Sequence, residues 1–147
     1  MKVNQISLFL ENEPGHLSGI CKVLSDSGIN IVTLSLADTA QFGILRLVVD
    51  DWQRAKACLE AAGRVVRVTE VVAAEVDDAP GGLTNVLTIL QQDSINIEYM
   101  YAFAFCKEGK AALVFRFDRP DAAISLLKNN NVTILSESEL IVCSRKE

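Results

Sequence analysis

The chain has 147 residues, is 50% hydrophobic and 22% charged, and carries a formal net charge of −5. That composition excludes a disordered polyelectrolyte, and the acidic balance speaks against nucleic acid, whose phosphates need clustered Lys and Arg. No stretch reaches the roughly 20 uninterrupted apolar residues of a membrane span, and the start Met1-Lys2-Val3-Asn4-Gln5-Ile6 has no apolar run of signal-peptide length; a cytoplasmic protein without a membrane partner is expected.

Residues 5–10 read as a strand, with Ile6, Leu8 and Leu10 alternating onto one face. Glu11-Asn12-Glu13-Pro14-Gly15 is the turn behind it. Leu17, Ile20, Cys21 and Leu24 recur at helical spacing and predict a helix ending near Gly28. Residues 29–37 are rich in strand formers, and 42–49 alternate as the next strand. Asp50 is placed to cap a second helix, with Gln53 three residues on as in a capping box. Ala55, Cys58, Leu59 and Ala62 form that helix's stripe, Gly63 ends it, and 65–69 is a fourth strand.

The second half repeats the order. Residues 71–76 are a strand, and Leu83, Val86, Leu87 and Leu90 form a helical stripe. Strands follow over 95–105 and 111–117. Asp118 opens a helix that tolerates Pro120 in its first turn and turns Ala123, Ile124 and Leu127 inward. A strand over 132–136 and a short terminal strand over 140–143 complete the chain. Cys21, Cys58, Cys106 and Cys143 form no C-x-x-C pair and have no histidine at ligand spacing, so all four are expected as small buried thiols of a reducing compartment.

The two halves are copies. Pro14-Gly15-His16-Leu17, with Ser27-Gly28-Ile29-Asn30-Ile31 after the helix, returns as Pro80-Gly81-Gly82-Leu83 with Ser94-Ile95-Asn96-Ile97. The offset is 66 residues without a gap, and Pro14/Pro80, Gly15/Gly81, Leu17/Leu83, Leu24/Leu90, Ile29/Ile95, Asn30/Asn96 and Ile31/Ile97 are identical pairs. Two such copies account for the whole chain, and each is small for a core of its own. No Gly/Ser/Pro linker separates them, so two rigidly docked modules are expected, 1–69 and 70–147. The order β-α-β-β-α-β interlocks two crossovers into an antiparallel four-stranded sheet with both helices on one face. The expected class is therefore α+β: two ferredoxin-like modules joined side by side, each with a helix-free face.

The pattern Asn12-Glu13-Pro14-Gly15-His16-Leu17, helix, Ser27-Gly28-Ile29-Asn30-Ile31, strand resembles the ACT domain, a regulatory amino-acid-binding module. Asp78-Ala79-Pro80-Gly81-Gly82-Leu83 with Ser94-Ile95-Asn96-Ile97 resembles a second one. The resemblance covers essentially the full chain, which is similar to small bacterial proteins made only of two ACT domains. It implies an effector bound at interfaces between modules through the first turn and the strand after the first helix. Carried over residue by residue, it implicates Asn12, Glu13, Pro14, Gly15, His16, Leu17, Asn30 and Ile31 in the first copy. In the second it implicates Asp78, Ala79, Pro80, Gly81, Gly82, Leu83, Asn96 and Ile97.

The residues support such a role on their own. A turn entering a helix leaves backbone N–H groups unpaired at a positive dipole end, and a ligand carboxylate fits there. Pro14 and Gly15 allow a tight turn and a close approach to the backbone. The Asn30 side chain both donates and accepts, which suits an α-amino acid. The plainer readings are a helix-entry turn and a strand-start hydrogen bond. The copies also differ: Asp78 replaces Asn12, Ala79 replaces Glu13 and Gly82 replaces His16, so the two turns are not expected to be equivalent. His16 reads as a ligand contact, a pH switch or an exposed residue without a role. Tyr99, Tyr101, Phe103 and Phe105 alternate as core or interface, and Arg46 as a ligand partner or a solvated arginine. Asp77-Asp78 alone is a weak metal signal, and no metal site and no cofactor are expected.

One histidine serves the whole chain, and no nucleophile–base pair, phosphate loop or dinucleotide fingerprint is present, so no catalytic residues are expected and the chain is not expected to be an enzyme. The expected function is a non-catalytic regulatory sensor, homodimeric, binding a small amino acid at an interface between modules and acting allosterically on a regulated enzyme. The alternative is a protein–protein interaction module that docks on an enzyme and binds no metabolite.

Overall fold

Alternating strands and apolar helical stripes build the first half as β1 (Val3–Glu11), α1 (His16–Asp26), β2 (Ile31–Asp38), β3 (Phe42–Val49) and α2 (Trp52–Ala61). The second half runs β4 (Arg67–Asp77), α3 (Gly82–Gln91), β5 (Ile97–Lys107), β6 (Lys110–Phe117), α4 (Pro120–Asn129), β7 (Thr133–Leu135) and α5 (Glu137–Ser144). The computed structural model describes residues 1–11, 13–38 and 42–145, without the side chains of 104–106. The chain divides into two units, Asn4–Thr69 and Met1–Val3 with Glu70–Glu147.

In the first unit the strand order is β2-β3-β1-β4, with β4 contributing residues 67–69. β3 pairs antiparallel with β1 and β2, in a register that sets Ile6 and Leu34 against Leu47, and Leu8 and Leu36 against Leu45. Ile6, Leu8, Leu45 and Leu47 point to the helices and pack with Ile20 and Leu24 of α1 and Ala55 and Leu59 of α2. Each fully buried Leu or Ile here contributes about 1.5–3 kcal/mol. The opposite face carries the rows Ser7–Arg46–Ser35 and Phe9–Ile44–Ala37, and Phe9 is 65% exposed. Helix α1 ends as its glycine implies: Gly28 sits at φ +69°, Gly28 N–H donates to Ser25 O at 3.0 Å and Ile29 N–H to Leu24 O at 2.9 Å, a Schellman ending.

The second unit repeats this architecture as β7-β4-β6-β5. Val72, Ala74, Leu113, Phe115 and Phe117 face Val86 and Leu90 of α3 and Ala123 and Leu127 of α4. Phe115 and Phe117 stack with ring centroids 5.1 Å apart and planes 12° from parallel. The face turned away from α3 and α4 is buried as well, through Val71, Ala73, Ala112 and Val114. Tyr101 and Phe103 lie on this face opposite Val114 and Ala112 and are half-buried there, so the aromatic stripe packs rather than standing free; Phe105 lies outside the described side chains. Lys2 reaches Asp121 at 3.0 Å, tying the chain start to this unit.

Four local expectations are corrected. The strands expected at 65–69 and 71–76 are one strand, β4, because nothing at Thr69-Glu70 breaks an extended chain. The terminal strand expected over 140–143 is helix α5, which packs against β5. The cap of α2 is Asp51, whose side chain accepts from Arg54 N–H at 3.1 Å, while Asp50 turns to Asn30. Cys21 and Cys58 are free thiols, but Cys143, buried on α5, is disulfide-bonded. The side chain of Cys106 lies outside the described ones. Among the described residues no helix is long and apolar enough to cross a membrane.

Helix α5 starts in a capping box. Glu139 N–H donates to Ser136 Oγ at 3.2 Å, and Ser136 N–H donates to Glu139 Oε2 at 2.7 Å. The Ser136 backbone bond, then its side-chain bond, hold the Glu139 carboxyl below its ordinary value of 4.5. A carboxyl lowered in the folded state stabilises it above the unfolded value, and that contribution is lost as pH falls through the folded one. The protection of the α5 amides against exchange, corrected for the intrinsic rate at each pH, is therefore expected to fall as pH drops below 4.5. In Glu139→Gln this pH dependence should flatten; an unchanged dependence would remove the box as its cause.

Candidate functional site

Helices α1 and α3 start differently from α2 and α5. Asp51 and Ser136 cap α2 and α5 with side-chain oxygens. Gly15 and Gly81 occupy the cap positions of α1 and α3 in left-handed backbone, at φ +92° and +91°, with no side-chain cap. Helix-start N–H groups without a side-chain acceptor are suited to an anionic group. In the first turn Glu13 N–H donates to Glu11 O at 2.8 Å and Gly19 N–H to Gly15 O at 2.9 Å; in the second, Gly82 N–H donates to Ala79 O at 3.0 Å and Asn85 N–H to Gly81 O at 3.0 Å.

Each turn borders a cavity. The second is the larger, about 330 Å³, with Ala79, Pro80, Gly81 and Gly82 in its wall beside Asn85, Asp77 and Lys110. Asp77 and Lys110 face each other across β4 and β6 and are hydrogen-bonded. That bond, and then the Asp77 charge, raise the Lys110 ammonium above its ordinary value. The cavity thus offers one cation, Lys110, and two carboxylates, Asp77 and Glu75, beside the glycine-capped start of α3, so it has a partner for both the ammonium and the carboxylate of a zwitterion. The first cavity, about 150 Å³, has Glu11, Glu13, Leu17, Leu36 and Asp38 in its wall.

Within a unit, the turn and the strand asparagine do not share a cavity. Asn30 and Ile31 line a separate hollow of about 420 Å³ with Cys21 and Gly28. Pro14, Gly15 and His16 stand at the turn outside the wall of the first cavity, and Asp78, Leu83, Asn96 and Ile97 outside that of the second. Asn12 lies outside the described residues. The backbone of each asparagine is engaged by an aspartate. Asn30 N–H donates to Asp50 Oδ1 at 3.0 Å while Asp50 N–H donates to Asn30 O at 3.1 Å. Asn96 and Asp118 repeat the exchange at 3.1 and 3.2 Å.

The difference between the turns has a steric cause. A Cβ added at Gly82 would stand 2.0 Å from the Asp77 carbonyl oxygen, so no side chain like that of His16 fits there. Sequence reading missed Lys110 and the aspartate clamps. The signal for the clamps was present, as Asp50 and Asp118 precede matching helices; that for Lys110 was its register opposite Asp77, which a sequence does not display.

The family model for the ACT domain pair matches residues 1–143. This chain belongs to that family. It is similar to protein BT0572 from Bacteroides thetaiotaomicron, whose crystal structure is 38% identical with a TM-score of 0.90, covering 95% of this chain and 96% of that one. The fold also resembles the ligand-free regulatory subunit of aspartate kinase from Thermus thermophilus (16% identity, TM-score 0.65, covering 86% and 91%). The corresponding subunit from Thermus flavus gives 16% identity and a TM-score of 0.61, covering 86% and 90%. No curated protein matches the chain.

Proposed function

We propose that this protein is a non-catalytic sensor that binds a small amino acid at its glycine-capped turns and passes the bound state to a separate enzyme. The observation that carries the reading is the second turn, where the start of α3 at Gly81 and Gly82, which has no side-chain cap, borders the same cavity as the Asp77–Lys110 pair. A ligand carboxylate has the helix start and Lys110 to meet, and an ammonium has Asp77. The assignment covers Glu13, Pro14, Gly15, His16 and Leu17 with Asn12 in the first copy, and Asp78, Ala79, Pro80, Gly81, Gly82 and Leu83 in the second. Asn30, Ile31, Asn96 and Ile97 stand as a second, strand-borne contact. The regulated enzyme is suggested by the Thermus proteins, which are regulatory subunits. A homodimer is part of the proposal, supported by the exposed Phe9 and Phe42 on the first unit's helix-free face.

Thermal unfolding against a panel of the common amino acids tests this. Binding to the native state alone stabilises by mass action, by about 2.7 kcal/mol at a hundredfold excess over Kd. For a chain of this size that raises Tm by roughly 5–10 °C. A selective rise with one or two amino acids is expected, reduced in Lys110→Met. Phe9, 65% exposed, and Phe42, 51% exposed, favour the alternative of a docking module without a metabolite. No rise with any amino acid would select that alternative.

A further inference from the structure

We propose that Glu11, Glu13 and His16 form a binding site for a divalent transition-metal ion. Their ligand atoms all lie within 4.8 Å of one another. His16 Nε2 stands 3.6 Å from Glu13 Oε2, too far for a hydrogen bond. It is the spacing of two neighbouring ligands on one ion: donors held at about 2.0–2.2 Å in a tetrahedral shell lie about 3.3–3.6 Å apart. The imidazole Nδ1 is closed off from solvent, so Nε2 is the nitrogen the ring presents to the carboxylates.

Local backbone geometry builds the cluster. The Glu13 N–H to Glu11 O bond of 2.8 Å folds the turn back on the end of β1, bringing the two carboxylates together. Gly15, in left-handed backbone, starts α1 so that His16, its first residue, returns to them. Asp38 shares the adjoining cavity wall with Glu11 and Glu13 and adds negative potential. Two carboxylates with one imidazole suit zinc, manganese, iron(II) or cobalt(II); the nitrogen ligand disfavours calcium and magnesium. Three protein ligands leave a coordination position for water or an incoming chelating group. The second copy is an internal control, since Asp77, Ala79 and Gly82 stand at the three matching positions and two of the three ligands are gone.

The test uses the full chain with no amino acid present, so it stands apart from the sensor reading. The chain has one histidine, and its imidazole proton resonance is followed while Co²⁺ is added, with calorimetry giving affinity and stoichiometry for Co²⁺ and Zn²⁺. One equivalent is expected to shift that resonance. His16→Asn and Glu11→Gln, checked for unchanged circular dichroism, should each weaken binding by about tenfold or more; Glu60→Gln, at an exposed carboxylate of α2, should leave it unaltered. Glu11 is an exposed carboxylate at a strand end, so its variant separates lost ligation from lost folding. An unmoved histidine resonance at millimolar metal, or equal affinity in both ligand variants, would overturn the proposal.

Discussion

Phe115→Ala is expected to lower unfolding free energy by about 3–5 kcal/mol, the range for removing a fully buried aromatic ring. Phe115 is 0% exposed and sits on the central strand β6, between Val72 of β4 and Met100 of β5, with Phe117 stacked on it. Paired strands on both sides hold its neighbours in place, so the lost transfer energy and the cavity add. In urea the midpoint should fall at unchanged slope, and Tm should fall by about 10 °C. A loss under about 1 kcal/mol would mean that α3 and α4 collapse onto the gap, and that this core is far more plastic than its close packing implies.

Gly82→Ala is expected to be the more severe of two neighbouring glycine substitutions. At Gly82 the new methyl meets the Asp77 carbonyl oxygen at 2.0 Å, a backbone atom that moves only if the end of β4 moves, at a cost of about 2–3 kcal/mol. At Gly81 an added Cβ meets nothing within 4 Å, and the strain is the positive φ of +91°, about 1–2 kcal/mol. Comparing the two by chemical denaturation separates a clash from a backbone penalty; equal losses would contradict the close approach at Gly82. Because Gly82 also lines the larger cavity, any displacement of Asp77 should weaken amino-acid binding as well.

What the sequence displayed was what short-range periodicity encodes. The alternation of Ile6, Leu8 and Leu10 and the stripe Leu17, Ile20 and Leu24 were readable, and the repeated Pro-Gly turns located both glycine-capped helix starts. The end of the chain misled because Leu140-Ile141-Val142-Cys143 has strand-forming composition, yet Ser136 and Glu139 close a capping box that commits it to a helix. Asp50 and Asp51 are adjacent and chemically identical. Only the fold decides that one caps α2 and the other reaches back 20 residues to Asn30. The candidate site was legible at its backbone, through Gly15 and Gly81, and illegible at its charges, because Lys110 meets Asp77 from 33 positions away.

The reciprocal bonds between Asn30 and Asp50, and between Asn96 and Asp118, act as a buckle at the base of each hairpin. The first buckle closes over 20 residues and the second over 22. The whole difference in length between these stretches of the two copies is thus confined inside a fastened loop, and the register of everything outside it is kept. A change of length at either hairpin tip is therefore expected to leave the helices on both sides of its buckle in place.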